Sequence, residues 1–215
     1  KTIREGRAQT AELQFWDDEL AASGACLMHG RAVTIAALSR LSAPIHERLA
    51  GSGENLRVAY DPSGEIAAGE SEDDAGLALT QLLEQRRSRD IGQGFTTAGP
   101  HRDDLRLTLD GMEAGPYASR GQCRTIALAM KLAEAAYLRD ERGEEPVLLL
   151  DDVLSELDEE RRIQVLEAAC RYEQCFITTS DPGQIDGAFL PTMSRFAVRQ
   201  GGVEPMGTAD VSGAG

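Results

Sequence analysis

Apolar residues recur with two periods along this chain, and polar chemistry collects where each period stops. From about Ala11 to Leu49 the period is helical: Leu13, Trp16 and Leu20 share one face, and Val33, Ala37, Leu41, Ile45 and Leu49 share another. Gly24 and Gly30 lie between the two sets, which predicts two antiparallel helices, the second kinked or restarted at Pro44. Leu56, Val58 and Tyr60 then alternate, as in a short half-buried strand. Asp61 to Asp74 is polar, acidic and glycine-bearing, and reads as a surface loop. A helical period resumes with Ala75, Leu79, Leu82, Leu83 and Arg86. Arg86, Arg87 and Arg89 at its expected end suit the negative pole of the helix dipole, a reading favoured slightly over DNA contact.

Gly92, Gly94 and Gly99 set a predicted boundary near Ile91, dividing a helical lobe of residues 1–90 from an α/β segment of residues 91–215. Thr96 to Asp104 is dense in polar groups and fixed by Pro100, a rigid polar loop to which the pattern assigns no chemistry. His101 within it has no Cys or His nearby, and such a residue is ordinarily a hydrogen-bonded surface or core group. Leu105, Leu107 and Leu109 alternate into Asp110-Gly111, a strong hairpin turn. Ser119-Arg120-Gly121-Gln122 opens the most regular helix, striped by Ile126, Ala129, Met130, Ala133 and Tyr137. Ser119 with Gln122 three residues on forms a capping box, sufficient by itself to start a helix. The same mouth, with a hydroxyl, first-turn amides, an arginine and a glycine that permits close approach, is also a phosphate-binding arrangement.

Pro146 ends what precedes it, and Val147 to Leu150 are four apolar residues in a row, the pattern of a strand buried on both faces of a parallel sheet. Asp151 and Asp152 follow at once. Charges at the end of such a strand must be solvated, paired or bound to a cation, and ligands of open α/β sheets sit just beyond the strand ends. Consecutive strand residues point to opposite faces, so the two carboxylates are expected to differ in role: one for a magnesium ion, one for an attacking water. The alternative, a turn that caps the next helix, is weakened because Ser155 and Asp158 already supply helix-start chemistry. Asp158 precedes an amphipathic helix marked by Ile163, Leu166 and Cys170, and Gln174 to Asp181 reads as a second buried strand stopped by Pro182 and Gly183. Strand, helix, strand in this order is half of a doubly wound sheet, so the fold class is α/β. A last strand is expected over Arg195 to Arg199, and a frayed, glycine-rich end from Gly201.

Bulk properties narrow the partners. A chain of 215 residues that is 41% hydrophobic buries one good core plus an appendage. No run approaches a membrane span, and a chain opening on Lys1 instead of Met reads as a segment or processed product. Cys26, Cys123, Cys170 and Cys175 lack metal-ligand or paired-framework spacing, which points to reduced thiols in a cytosolic protein. A net charge of -14 argues against a broad nucleic-acid footprint but leaves room for a local one; arginines cluster at Arg86 to Arg89 and at Arg102 and Arg106.

Four ordered motifs carry a resemblance across most of the chain. Gly99-Pro-His-Arg-Asp-Asp104, Ser119-Arg-Gly-Gln122, Leu148-Leu-Leu-Asp-Asp-Val-Leu-Ser-Glu-Leu-Asp158 and Phe176-Ile-Thr-Thr-Ser-Asp181 resemble the C-terminal half of the RecF family of bacterial recombination mediators. Trp16-Asp17, Leu20, Gly24 and Arg31 fit that family's helical arm more weakly. The family is similar to the ATPase heads of SMC and ABC proteins, and the resemblance implies an ATP-dependent homodimer in which ATP on one subunit's P-loop is closed over by the other's signature sequence. Carried over, Ser119, Arg120, Gly121 and Gln122 become the signature that touches the γ-phosphate in trans. Asp151 becomes the Walker B carboxylate for Mg2+, through water, and Asp152 the water-polarising residue where most relatives have glutamate, a shortening that implies slow hydrolysis. Ser155, Glu156 and Asp158 become the D-loop. Thr178, Thr179 and Asp181 become the switch, with threonine and serine where many ABC proteins have histidine.

The resemblance further implies a cytoplasmic, nucleoid-associated DNA repair and recombination protein of the SOS response, acting at single-strand gaps with RecR and helping to load recombinase, with no DNA-contacting surface identified. A P-loop needs glycines followed by Gly-Lys-Ser/Thr, yet the only lysines, Lys1 and Lys131, follow no such run. An N-terminal P-loop half is therefore expected elsewhere, and the residues in hand are expected to have negligible ATPase activity alone. An ABC or SMC-type ATPase fragment of another function and a non-catalytic interaction module rank behind this reading.

Overall fold

The computed structural model describes residues 10–51, 53–63 and 71–206. The chain packs as two compact units, one of residues 1–47 and 51–137, the other of residues 48–50 and 138–215. Residues 91–137, grouped by sequence pattern with the later segment, pack in the first unit.

Helix α1 (Thr10–Ala50) is one continuous helix of 41 residues, so the two antiparallel helices expected around Gly24 and Gly30 are not formed. Gly24 serves close approach instead of a break: a Cβ there would stand 2.6 Å from Leu79 Cδ2 and 3.3 Å from Pro100 Cδ. Pro44 lies inside the helix, which continues through it. Ala21, Ala25 and Met28 of α1 pack into a core with Ala75, Leu79 and Leu83 of α2 (Glu72–Gln93) and with Ala98. Small residues on α1 let the larger leucines of α2 approach.

Helix α2 starts on a complete Ser71–Asp74 capping box and ends at Gly94, left-handed at φ 82. It runs a full turn past Arg89, so the arginines do not sit at its negative pole as expected; its last turn holds no basic residue. Two of them staple instead. Arg86 donates to the Thr97 and Ser63 carbonyls at 2.8 and 3.1 Å, and Arg87 donates to Asp17 and Gln14, each at 2.7 Å. Residues 64–70 of the expected loop lie outside the described residues.

Strand β1 (Leu56–Asp61) pairs antiparallel with β2 (Asp104–Leu109), which turns through Asp110 and Gly111, both at positive φ, into β3 (Met112–Glu113). The Thr96 to Asp104 loop is fixed from several sides. Buried Asp103 accepts from the Tyr60 hydroxyl and from Ser63 N at 2.8 Å, with Arg31 Nη1 3.6 Å away. Arg31 also donates to the Pro100 carbonyl at 2.5 Å, and Gly99 N donates to Ser63 Oγ at 3.0 Å. A short α3 (Ala114–Tyr117) leads into α4 (Arg120–Arg142), whose Ile126, Leu128, Ala129, Leu132 and Ala133 are buried.

In the second unit β4 (Leu148–Asp151) lies parallel to β5 (Cys175–Thr178), with α5 (Glu159–Ala169) between them in sequence. Leu148 and Leu150 are buried, as are Leu154, Leu157, Val165, Leu166 and Ala169. Burial on both sheet faces, expected from the apolar run, is not found among the described residues: Val147, Leu149 and Phe176 are exposed. Cys170, expected on the apolar face of α5, is exposed at its C-cap. Where a frayed end is expected from Gly201, β6 (Phe196–Arg199) turns through Gln200 and Gly201 into β7 (Gly202–Pro205); residues 207–215 of that end lie outside the described residues.

Candidate functional site

The predicted chemistry divides into two groups of side chains, one in each unit. In the first unit the α4 mouth is built by reciprocal caps. Gln122 N donates to Ser119 Oγ at 3.2 Å while Ser119 N donates to Gln122 Oε1 at 2.8 Å. Buried Thr125 donates to the Gly121 carbonyl at 3.0 Å one turn in, and the apolar stripe beyond it anchors the helix. Ser119 and Arg120 are exposed, and a Cβ at Gly121 would meet only Ser119 Oγ, 3.9 Å away, so the backbone there is open to close approach. First-turn amides have no carbonyl four residues back within the helix, and Arg120 and Gly121 present theirs at this mouth. One contact had no sequence signal: Gln122 Nε2 donates to Glu54 Oε1 at 2.9 Å.

In the second unit Thr178 ties the Asp151 carboxylate to the backbone of Asp152. Its hydroxyl donates to Asp151 Oδ1 at 2.5 Å and accepts from Asp152 N at 3.0 Å, and Asp152 N also approaches the Thr178 carbonyl at 3.2 Å. Asp152 is left-handed, φ 49 and ψ 25, a conformation Asp tolerates better than most residues. The strand thus ends at Asp151 and the chain turns at Asp152, giving the two side chains different surroundings. Ser155 Oγ donates to the Asp152 carbonyl at 2.8 Å and lies 3.1 Å from its Oδ2. Asp151, Asp152, Ser155 and Thr178 are all exposed.

The remaining predicted residues do structural work nearby. Asp158 caps α5 by accepting from Arg161 N at 3.0 Å and pairs with the Arg161 guanidinium at 2.7 Å. Thr179 donates to Gln184 Oε1 at 3.0 Å, and Asp181 accepts from Gly183 N at 2.9 Å in a turn of their own. The Glu156 side chain lies outside the described residues.

Among the described residues no group of three or more His, Cys, Asp or Glu side chains is arranged to hold a metal ion. A magnesium ion needs no such cage. It keeps several waters and takes one or two carboxylates, and an exposed Asp151 with one oxygen already oriented by Thr178 fits that donor set. No helix among the described residues is long and apolar enough to cross a membrane.

No family model matches the chain. It is 42% identical over 196 residues to the DNA replication and repair protein RecF of Chloroflexus aurantiacus, a match covering 90% of this chain and 50% of that protein. The identity is 40% over 210 residues for the RecF of Roseiflexus castenholzii, covering 94% and 53%. The chain belongs to the RecF family. It corresponds to the C-terminal part of RecF and spans about half the length of the curated relatives it matches.

Solved structures agree. The recombination mediator protein RecF-ATPrS in the RecFOR pathway matches with a TM-score of 0.81 at 30% identity, covering 96% of this chain and 53% of that one. RecF-ATP of the same pathway matches with a TM-score of 0.80. The α/β fold expected from the strand-helix-strand order is that of the RecF ATPase head.

Proposed function

We propose that, in the complete protein, this chain supplies two parts of an ATP-dependent homodimer: the signature that closes over the partner's nucleotide and the acidic strand end that serves its own. Ser119 and the first-turn amides of α4 take the γ-phosphate in trans, with Arg120 adding positive charge. Asp151 holds Mg2+ through water, which would shield the phosphate charge, and Asp152 orients the attacking water. Ser155 with Glu156 and Asp158 forms the D-loop, and Thr178 with Thr179 and Asp181 the switch. The P-loop is supplied by the N-terminal half that the relatives possess. In this reading the dimer binds DNA at single-strand gaps, works with RecR and helps load recombinase in the cytoplasm.

The observation that carries the reading is the joint geometry at Thr178: one hydroxyl holds the Asp151 carboxylate and the backbone N–H of Asp152 at the strand end, and both aspartates face solvent. The exposed α4 mouth and solved relatives described with ATP support it. In the full-length protein, Asp151→Ala is expected to abolish ATP turnover with nucleotide binding retained, and Ser119→Arg to abolish ATP-dependent dimerisation. Wild-type turnover in the first variant, or wild-type dimerisation in the second, would overturn the assignment.

A further inference from the structure

We propose that Glu54 is a positioning residue for the signature: it fixes the Gln122 amide, and through it the mouth of α4. The proposal rests on the reading of Ser119 to Gln122 as the nucleotide-closing surface.

Glu54 is set just before β1 by a clasp in its neighbour: Asn55 N donates to Asp110 Oδ1 at 3.0 Å and Asp110 N donates to the Asn55 carbonyl at 3.1 Å. That clasp ties the approach to β1 to the end of the β2 strand. The Glu54 side chain is 21% exposed; Oε1 accepts from Gln122 Nε2 at 2.9 Å, and Oε2 lies 3.9 Å from Nε2 of the fully buried His46. A carboxylate only accepts, and a backbone N–H only donates. Gln122, placed between Glu54 and Ser119 N, therefore has a single amide orientation that satisfies both neighbours, with Oε1 toward Ser119 and Nε2 toward Glu54. Without Glu54, Nε2 loses its charged acceptor and the amide is free to swing. The Ser119 backbone then loses the cap that fixes its angle of entry, and with it the direction of the Ser119 hydroxyl.

A swap of donor and acceptor separates this role from generic stability. A capping box accepts Glu as readily as Gln at its third helical position. Q122E alone should therefore do harm only because it turns a second carboxylate toward Glu54, and E54Q/Q122E should restore a donor-acceptor pair with reversed ends. The experiment measures ATP-dependent dimerisation of the full-length protein by sedimentation, and ATP affinity of the monomer by titration with a fluorescent analogue.

The expected result is dimerisation weakened about tenfold in E54A and in Q122E, the scale of one charge-assisted hydrogen bond. E54Q should lie within about threefold of wild type on the same scale, E54Q/Q122E should recover most of what Q122E loses, and monomer ATP affinity should be unchanged in E54A and E54Q. Wild-type dimerisation in E54A, or failure of E54Q/Q122E to recover what Q122E loses, would overturn the proposal. S119R separates the two layers: if it also leaves dimerisation intact, the signature reading has failed; if it abolishes dimerisation while E54A does not, only the role of Glu54 has.

Discussion

At Thr178 a single hydroxyl serves two neighbours, and Thr178→Val removes both bonds at almost constant volume. Losing the orientation of the Asp151 carboxylate and the anchor of the Asp152 backbone is expected to slow ATP turnover of the full-length protein about tenfold, equivalent to one net hydrogen bond. Thr178→Ser should restore most of it in a steady-state assay. Asp103 is the structural counterpart: its side chain is 1% exposed and accepts from Tyr60 and Ser63 beside Arg31. Asp103→Ala strands those donors and should cost about 3 kcal/mol, read as a lower urea midpoint. Burial first, and then the bond to Asp103, pushes the Tyr60 phenol well above the ordinary tyrosine range. Between the ordinary pKa, about 10, and the raised one, the folded state binds more protons than the unfolded state, so stability should fall as pH rises through that interval. Asp151 and Asp152 were legible in the sequence because charges directly after an apolar strand are a local anomaly. Asp103 and Glu54 were not, because their partners lie tens of residues away and a distant hydrogen bond leaves no periodic trace.

Helices and turns were read best where their signals are local. The Ser71 start of α2 went unread inside an assumed loop, whereas the Asp110-Gly111 turn, the Ser119 capping box and the Asp158 cap all fall where their short motifs stand. Gly24 misled because a glycine that admits a neighbour and a glycine that ends a helix look identical in one dimension. Gly24→Ala decides between those roles. Better helix propensity would add up to about 1 kcal/mol of stability. The new methyl would however stand 2.6 Å from Cδ2 of the fully buried Leu79, which must shift within the core to admit it, and overpacking costs about 1–3 kcal/mol. A net loss of about 1 kcal/mol is expected by denaturant unfolding, where a helix-breaking glycine would have given a gain. Ser71→Ala removes a complete capping box and should cost about 1 kcal/mol by the same measurement.

For the whole molecule, the run from Val147 to Leu150 encodes a strand dry on both sides, yet one side stays wet within this chain. Leu149 and Phe176 are register partners across the parallel pair and stand 70% and 53% exposed. The pattern was legible; the covering layer was not, because apolar alternation says that a face should be buried without saying by what. Leu149→Asp in this chain alone should shift stability by no more than about 0.5 kcal/mol, as for a surface position. In the full-length protein, where the proposed N-terminal half would cover the face, the same change should cost about 3 kcal/mol or more, visible as a lowered melting temperature. Two oily side chains abreast on a pair of strands also make an adhesive strip. A concentrated solution of the chain by itself is expected to turn cloudy while its helical circular dichroism persists: copies would glue together through the wet side of the sheet well before any of them unravels.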